Sequence, residues 1–322
     1  MAGLKVLVTD HVFPNLDPER EILGEIGAEV VYPGCDVSDE RLVELAVDVD
    51  GVLNTYRKIP AALYDAAKKC RIITRYGIGI DTIDVAKATK CGIIVTNVPD
   101  YCIDEVSDHT LAHILGCARK ITVSNQLVKS GKWSLAPVKP MYRLRSRTLG
   151  LYGFGRIPRL VAVKAKVFGV KVVACDPYVP EAAIAAAGVR KVSFEELCRE
   201  ADIISIHAPL TEETRGVFNA KAFSIMKDGV IIVNTARGPL VNEADLYAAV
   251  VSGKIGAAAL DVTVPEPPAA DNPILKLPNV ILTPHSAWYS EEALVDLQRK
   301  AAAEVARVLK GEPPQYQVNN GK

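Results

Sequence analysis

Short aliphatic and β-branched runs alternate with segments of helical periodicity along nearly the whole chain of 322 residues. That alternation argues for parallel sheets assembled from βαβ units. In the first third, residues 6–9, 29–32, 51–54 and 71–76 read as strands, with helices at 18–26, 38–46 and 61–70. This series ends near Val95-Thr-Asn-Val-Pro99. Residues 104–119 read as one long helix, its apolar positions Val106, Leu111, Ile114 and Leu115 forming a wide stripe. Residues 129–147 are polar, carry prolines at 137 and 140, and read as a connection. A second βαβ series follows, with strands at 149–153, 171–175, 202–206, 230–233, 257–262 and 280–282 and helices between them. An amphipathic helix at 291–309 closes the pattern, and Gly311-Glu-Pro-Pro314 after it reads as a frayed tail. The second series is long enough for a complete dinucleotide domain. The final helix is expected to return to the first series, so the chain crosses between two domains near Pro99 and Pro284.

Composition narrows the class. With 49% apolar and 24% charged residues the chain is an ordinary globular protein, and its length is comfortable for two cores. Lys plus Arg (38) cancels Asp plus Glu (38), so no net field favours nucleic acid or an anionic membrane, and neither is an expected partner. Small molecules and further copies of the chain are. Seven cysteines, an odd number without a C-x-x-C pair, fit scattered reduced thiols better than a disulfide framework or a zinc site. Met1-Ala-Gly-Leu-Lys5 runs directly into the first strand, and no apolar stretch approaches the ~20 residues that span a bilayer. A cytoplasmic location is the expectation.

A nucleotide signature opens the second series. Thr148-Leu-Gly-Leu-Tyr-Gly153-Phe-Gly155-Arg-Ile-Pro158 is a strand, a glycine turn and a helix start, and the next strand ends at Asp176. Asp176 lies 176 − 155 = 21 positions beyond Gly155, close to the spacing of about 20 expected for an acid that binds the adenosine ribose. Gly153 makes the tight turn, Phe154 lies within it, and Gly155 lets the backbone approach a pyrophosphate. The N–H groups of Arg156 and Ile157 at the helix start meet its charge. Pro158 stands where the third glycine of the fingerprint belongs; proline is tolerated in a first helical turn, at some expense of close helix–strand packing. A carboxylate at 176 accepts hydrogen bonds from a ribose 2′-hydroxyl and repels a 2′-phosphate, which favours NAD over NADP.

Three polar residues follow apolar runs that read as strands: Arg237, Glu266 and His285. Ligands of open α/β sheets collect beyond the carboxyl ends of strands. A cation, a carboxylate and an imidazole delivered there can hold an organic acid and move a proton. Singly, Arg237 and Glu266 read as a surface charge and a loop acid; their joint position at strand ends makes coincidence a poor account. His109 and His113 have the i, i+4 spacing of a metal-binding pair, but no third ligand is in view, so packing and hydrogen bonding are their expected role and no metal is expected.

Arg75-Tyr-Gly-Ile-Gly-Ile-Asp81, Glu105-Val-Ser-Asp-His-Thr110, the glycine fingerprint, Asn234-Thr-Ala-Arg-Gly-Pro-Leu-Val241, Asp261 with Glu266-Pro, and Thr283-Pro-His-Ser-Ala287 occur in one order. The whole chain thereby resembles the D-isomer-specific 2-hydroxyacid dehydrogenases. Leu111-Ala-His-Ile-Leu115 and His285-Ser-Ala-Trp-Tyr-Ser-Glu-Glu292 resemble the C-terminal-binding-protein branch of that family. Only Pro158 departs from the motif set. The resemblance implies an α/β protein of two Rossmann-like domains: a doubly wound parallel-sheet NAD domain, 100–285, inserted in a smaller flavodoxin-like substrate domain, 1–99 plus 286–322. It also implies a proton relay in which His285 protonates the substrate carbonyl, Glu266 orients its ring, and Arg237 clamps the carboxylate as a planar fork. Ile78 and Gly79 would offer backbone N–H groups to that carboxylate, with Arg75 nearby. Asp261 would orient the nicotinamide carboxamide. His207, Ala208, Pro209, Thr214, Thr235 and Ala236 would contact the dinucleotide, as would Arg237 and His285. The implied assembly is a homodimer, with residues 101–147 supplying an arm, and substrate is expected in a cleft between domains.

Three readings compete. The first is an NAD-dependent 2-oxoacid reductase acting on a small acid such as glyoxylate or hydroxypyruvate. The second is an NAD(H)-sensing scaffold of the C-terminal-binding-protein kind, which would bind the nucleotide without turning it over. The third is a phosphoglycerate-type dehydrogenase, with Arg57 and Lys58 meeting a distal phosphate. Tyr56 and Trp288 would instead form an aromatic wall suited to an uncharged tail.

Overall fold

The computed structural model describes residues 3–319. Its internal contacts divide the chain into two units, one running to Cys102 and resuming at Tyr289, the other spanning Ile103–Trp288. Both are α/β, with parallel strands throughout. Among the described residues no helix is long and apolar enough to cross a membrane.

The first unit holds β1 (Leu4–Val8), β2 (Ala28–Val31), β3 (Gly51–Asn54), β4 (Ile72–Arg75) and β5 (Ile94–Thr96) in the order β2-β1-β3-β4-β5. That is the flavodoxin-like order. The connections are α1 (Asp17–Gly24), α2 (Asp39–Ala46), α3 (Ala61–Ala66) and α4 (Val85–Lys90). β3 and β4 are buried at every position, as a parallel sheet covered on both faces requires. Helix starts are set locally: the Ser38 side chain accepts from Arg41 N, and Asp84 from Lys87 N. After β3 the Asp10 carboxylate gathers the N–H groups of Thr55, Tyr56 and Arg57 at 2.7–3.0 Å and pins the loop they form.

The second unit holds α5 (Ile103–Ala118), α6 (Ile121–Lys129), β6 (Thr148–Tyr152), α7 (Arg156–Lys166), β7 (Lys171–Cys175), α8 (Glu181–Ala186), β8 (Arg190–Lys191), α9 (Phe194–Glu200), β9 (Ile203–Ile206), α10 (Ala220–Ile225), β10 (Val230–Asn234), α11 (Glu243–Val251), β11 (Ile255–Leu260) and β12 (Val280–Leu282). The seven strands run β12-β11-β10-β9-β6-β7-β8. The order reverses between β6 and β9, the switch point at which such sheets bind ligands. Separate apolar clusters include Ile114, Cys117, Val161 and Ala165 from α5 and α7, and Leu197, Phe223 and Leu246 from α9, α10 and α11. The unit is therefore doubly wound. Neither β8 nor α6 is foreseen by the residue pattern. β8 is two residues at a sheet edge, and α6 buries none of its side chains.

The final helix, α12 (Glu291–Leu309), belongs to the first unit and packs on α1, β3 and β4. Leu294, Leu297, Ala301, Val305 and Val308 lie on its buried side, repeating at three or four residues. Gly51 on β3 leaves room for it: a Cβ there would stand 3.0 Å from Val305 Cγ1. Over the described residues, through 319, the tail beyond α12 is not frayed. The buried Glu304 carboxylate accepts from Gln315 N and Tyr316 N, and Gln317 bridges antiparallel to Thr96. Val318 N donates to Val95 O, so the tail covers the free edge of β5.

Candidate active site

The glycine turn at the end of β6 is built for close approach. Gly153 has φ +96, and a Cβ there would sit 2.9 Å from Ala208 N, so glycine lets the turn press on the His207–Ala208 segment after β9. Gly155 is different. Its φ is −77, which any residue adopts, and a Cβ there would meet nothing within 4 Å. Neither backbone nor packing demands glycine at that position, and the space beside it is open. Gly155 is the N-cap of α7 and no side chain caps that helix start, an arrangement that suits a pyrophosphate. Pro158 lies buried in that first turn. These residues fit a dinucleotide.

Asp176 performs a second task that the spacing did not disclose. Its Oδ2 accepts from Phe154 N at 2.8 Å, and Oδ1 accepts from Tyr178 N and Val179 N at 2.9 and 3.1 Å. It therefore ties the end of β7 to the glycine turn and holds negative charge beside it. Asp176 also lines a cavity of about 610 Å³ with Tyr152, Cys175, Phe194 and Val217, in the size range of cofactor sites. Thr214 closes the neighbouring loop by donating to Pro209 O at 2.7 Å. His207 bonds Ser205 Oγ at 2.9 Å, and burial lowers its pKa to about 3, so it is neutral at physiological pH.

Arg237, Glu266 and His285 come together in the second unit. The side chain of Asn234, fully buried at the end of β10, shapes the first loop: Nδ2 donates to Arg237 O and Oδ1 accepts from Ala236 N. Gly238, which the residue pattern did not single out, makes the approach possible. A Cβ at 238 would stand 2.1 Å from Thr263 O, so the Arg237 loop lies directly against the loop that leads to Glu266. His285 Nδ1 meets Glu266 Oε2 at 2.7 Å. Burial would raise the Glu266 pKa, but the hydrogen bond and charge of His285, the Thr263 N–H and the charge of Arg237 outweigh it and hold the group below the usual carboxylate range.

His285 adopts φ 52, a left-handed backbone that a non-glycine residue takes only when neighbours enforce it. Its N–H donates to Asp261 O at 2.8 Å and Thr283 O at 3.0 Å. Asp261, buried at the end of β11, also accepts from Ser286 N and Ala287 N, both at 2.9 Å. Thr283 Oγ1 donates to Asp261 Oδ1 at 2.6 Å and meets His109 Nε2 and His113 Nε2 at 3.0 and 3.2 Å. The expectation that the histidine pair lacks a third metal-type ligand is thus corrected, because the fold brings Asp261 to it. A hydroxyl occupies the middle of the three, at hydrogen-bond distances rather than the ~2.0–2.2 Å of metal coordination. Thr235 Oγ1 pairs with Thr110 Oγ1 at 3.0 Å, and Trp288 is half-buried three positions beyond the histidine.

In the first unit, Arg75 lies across the turn that carries Ile78 and Gly79. A Cβ on Gly77, whose φ is +131, would collide with its guanidinium. The Arg75 Cζ is 5.7 Å from the ring centroid of the exposed Tyr56. Arg57 is committed elsewhere: Nη1 donates to Val37 O at 2.6 Å and Nη2 pairs with Asp39 at 2.5 Å.

Residues 111–287 match the NAD binding domain of the D-isomer specific 2-hydroxyacid dehydrogenases. The chain is 41% identical over 316 residues to a D-3-phosphoglycerate dehydrogenase of Archaeoglobus fulgidus, covering 98% of this chain but 59% of that protein. It is 40% identical over 302 residues to a hydroxypyruvate reductase of Thermotoga maritima, covering 93% and 96% of the two. Among solved structures, a D-lactate dehydrogenase of Aquifex aeolicus complexed with NAD and lactic acid superposes with a TM-score of 0.87 at 29% identity, over 99% of this chain and all of that one.

Proposed function

The chain belongs to the D-isomer-specific 2-hydroxyacid dehydrogenase family, and on that premise we propose that it reduces a small 2-oxo acid to the D-2-hydroxy acid with NADH. The observation that carries the reading is the 2.7 Å contact of His285 Nδ1 with Glu266, in a loop pressed against the one bearing Arg237. The bound dinucleotide supplies the hydride. With Nδ1 engaged by the carboxylate, Nε2 of His285 carries the proton that passes to the carbonyl oxygen as its π pair is released. Glu266 stays ionised and offsets the charge of the imidazolium. The planar guanidinium of Arg237 holds the substrate carboxylate, with Trp288 beside the tail. The negative charge at Asp176 favours NAD over NADP.

The commitment of Arg57 to Val37 and Asp39 favours an uncharged tail over a phosphorylated substrate. Glyoxylate and hydroxypyruvate are the proposed substrates. The test is NADH oxidation against a panel that includes both acids, phosphohydroxypyruvate and branched 2-oxo acids. Turnover of the small acids, lost in His285→Ala while NADH still binds, is the expected result. NADH binding with no oxidation by any acid would leave the sensor reading standing; a preference for the phosphorylated acid would favour the phosphoglycerate type.

A homodimer is proposed on the residues around α6. Ile121, Val128, Trp133, Leu135 and Tyr142 are all at least half exposed, more apolar surface than an arm in water would carry. Light scattering reading a monomer at micromolar concentration would refute it. The free thiols, five of them buried, fit a reducing cytoplasmic setting.

A further inference from the structure

The hydrogen bonds behind His285 have a direction, and that direction gives roles to side chains the reaction does not touch. The Asp261 carboxylate accepts, so the proton of the Thr283 hydroxyl points at Oδ1, 2.6 Å away. The two lone pairs of that hydroxyl then face His109 Nε2 and His113 Nε2, at 3.0 and 3.2 Å. Each imidazole satisfies it by presenting Nε2–H. The rings meet edge to face, their centroids 4.4 Å apart and their planes at 88°. His113 is 4% exposed. Burial first, then the neighbouring His109, lowers its pKa to about 4, so it is neutral at physiological pH and can hold a single ring proton. Downstream, Asp261 holds Ser286 N and Ala287 N through its carboxylate and His285 N through its carbonyl. These ties enforce the left-handed backbone at His285.

We propose that His109 and His113 are positioning residues for the His285 imidazole: by donating Nε2–H to the Thr283 hydroxyl they commit its proton to Asp261, and so fix the turn 283–287 that carries His285. The aim of His285 at a carbonyl rests on the reductase reading; the direction of the network does not. Sequence spacing shows the histidine pair but not its partner, which lies 174 and 170 residues away.

Selective ¹⁵N-histidine labelling reads the protein's five imidazoles, each assigned by substituting that histidine. In the unsubstituted protein both His109 and His113 are expected to carry a proton on Nε2. Thr283→Val keeps the side-chain shape and removes the hydroxyl. It should shift the His285 signal and speed amide exchange at 285–287 by about tenfold. Thr283→Ser should restore both. In kinetics with any 2-oxo acid that is turned over, Thr283→Val should lower kcat about thirtyfold while NADH affinity stays within about threefold. His109→Gln and His113→Gln, which keep an N–H donor, should stay within about threefold in kcat, and the leucine variants should follow Thr283→Val. A ring protonated on Nδ1 alone, with Nε2 bare, at either histidine would overturn the proposal, with no variant needed. So would a folded Thr283→Val whose His285 signal and turn exchange match the unsubstituted protein. If no acid is turned over, the reductase reading fails and the spectra alone decide the network.

Discussion

Substituting alanine at Gly238 perturbs the active site at its tightest contact. The added Cβ would stand 2.1 Å from Thr263 O and 2.5 Å from Thr263 C. Ordinary van der Waals separation is about 3.5 Å, so the Arg237 and Glu266 loops must part by about 1 Å or more. The obstacle is backbone, and no change of rotamer relieves it. A displacement of that size in a positioned group costs about a hundredfold in rate, or about 2.7 kcal/mol of barrier. Overpacking adds a stability cost of about 1–3 kcal/mol, seen as a fall in Tm of roughly 2–10 °C for a unit of this size. The pyrophosphate site should be spared, because the glycine turn lies at the end of a different strand, so NADH affinity should fall less than kcat/KM. The assays are steady-state kinetics with the active 2-oxo acid, NADH fluorescence titration and thermal melting. A folded Gly238→Ala protein with unchanged kcat/KM would refute the argument that this close approach sets the geometry of Arg237 and Glu266.

Gly155→Ala should behave in the opposite way: its Cβ meets no protein atom within 4 Å, so stability falls only by the ~1 kcal/mol of a poorer N-cap while NADH binding weakens by at least about tenfold, and unchanged binding in a calorimetric titration would sink the ligand account of that glycine. Asp176→Ala should weaken NADH about tenfold and relax discrimination against NADPH, since it removes both the acceptor and the repulsive charge; an unaltered NADH-to-NADPH ratio of kcat/KM would count against the assignment. His113 predicts an acid sensitivity. Its folded pKa of about 4 lies below the ordinary 6.5, so the unfolded chain takes up the proton first as pH falls. Its contribution to stability is intact above pH 6.5 and declines by about 1.4 kcal/mol per pH unit, reaching a loss of about 3 kcal/mol near pH 4. Tm measured from pH 7 to pH 5 should fall more steeply in the native protein than in His113→Gln, and equal slopes would show that the histidine is not buried neutral.

The parts of the fold that the residue pattern discloses are those whose burial is continuous or periodic. β3 and β4 are buried at every position, and α12 buries one continuous stripe, so both stand out from the chain alone. β8 has no period to read, since it is two residues at a sheet edge. α6 has no fully buried side chain, so the burial stripe that marks other helices is missing from it. The tail misleads for a related reason. Prolines at 313 and 314 signal an end of helix, which is correct, but what holds Gln315–Val318 is a buried carboxylate on α12 and the edge of β5. Edge pairing uses main-chain groups that every residue has, so side-chain pattern is silent about it.

The site divides along the same line. Arg237, Glu266 and His285 are visible because each brings an uncommon chemistry to a strand end, and residue type plus position suffices. What orients them is written in pairs that the chain separates: Gly238 against Thr263, Asn234 around Arg237, and the histidines of α5 against Thr283. None of these has distinctive chemistry alone, since a glycine, an asparagine and a threonine each have an ordinary structural use. Asp176 shows that the two kinds of information overlap. The 21-residue spacing proposes it as a ribose ligand, yet the same carboxylate holds Phe154 N in the glycine turn, so its removal alters charge and turn geometry together. Asp176→Asn separates them. An amide oxygen can still accept from Phe154 N, while the charge that repels a 2′-phosphate is gone. If charge sets cofactor preference, Asp176→Asn should relax it as far as Asp176→Ala does while binding NADH more tightly than the alanine variant; equal NADH affinity in the two would mean that the turn contact contributes nothing to cofactor binding.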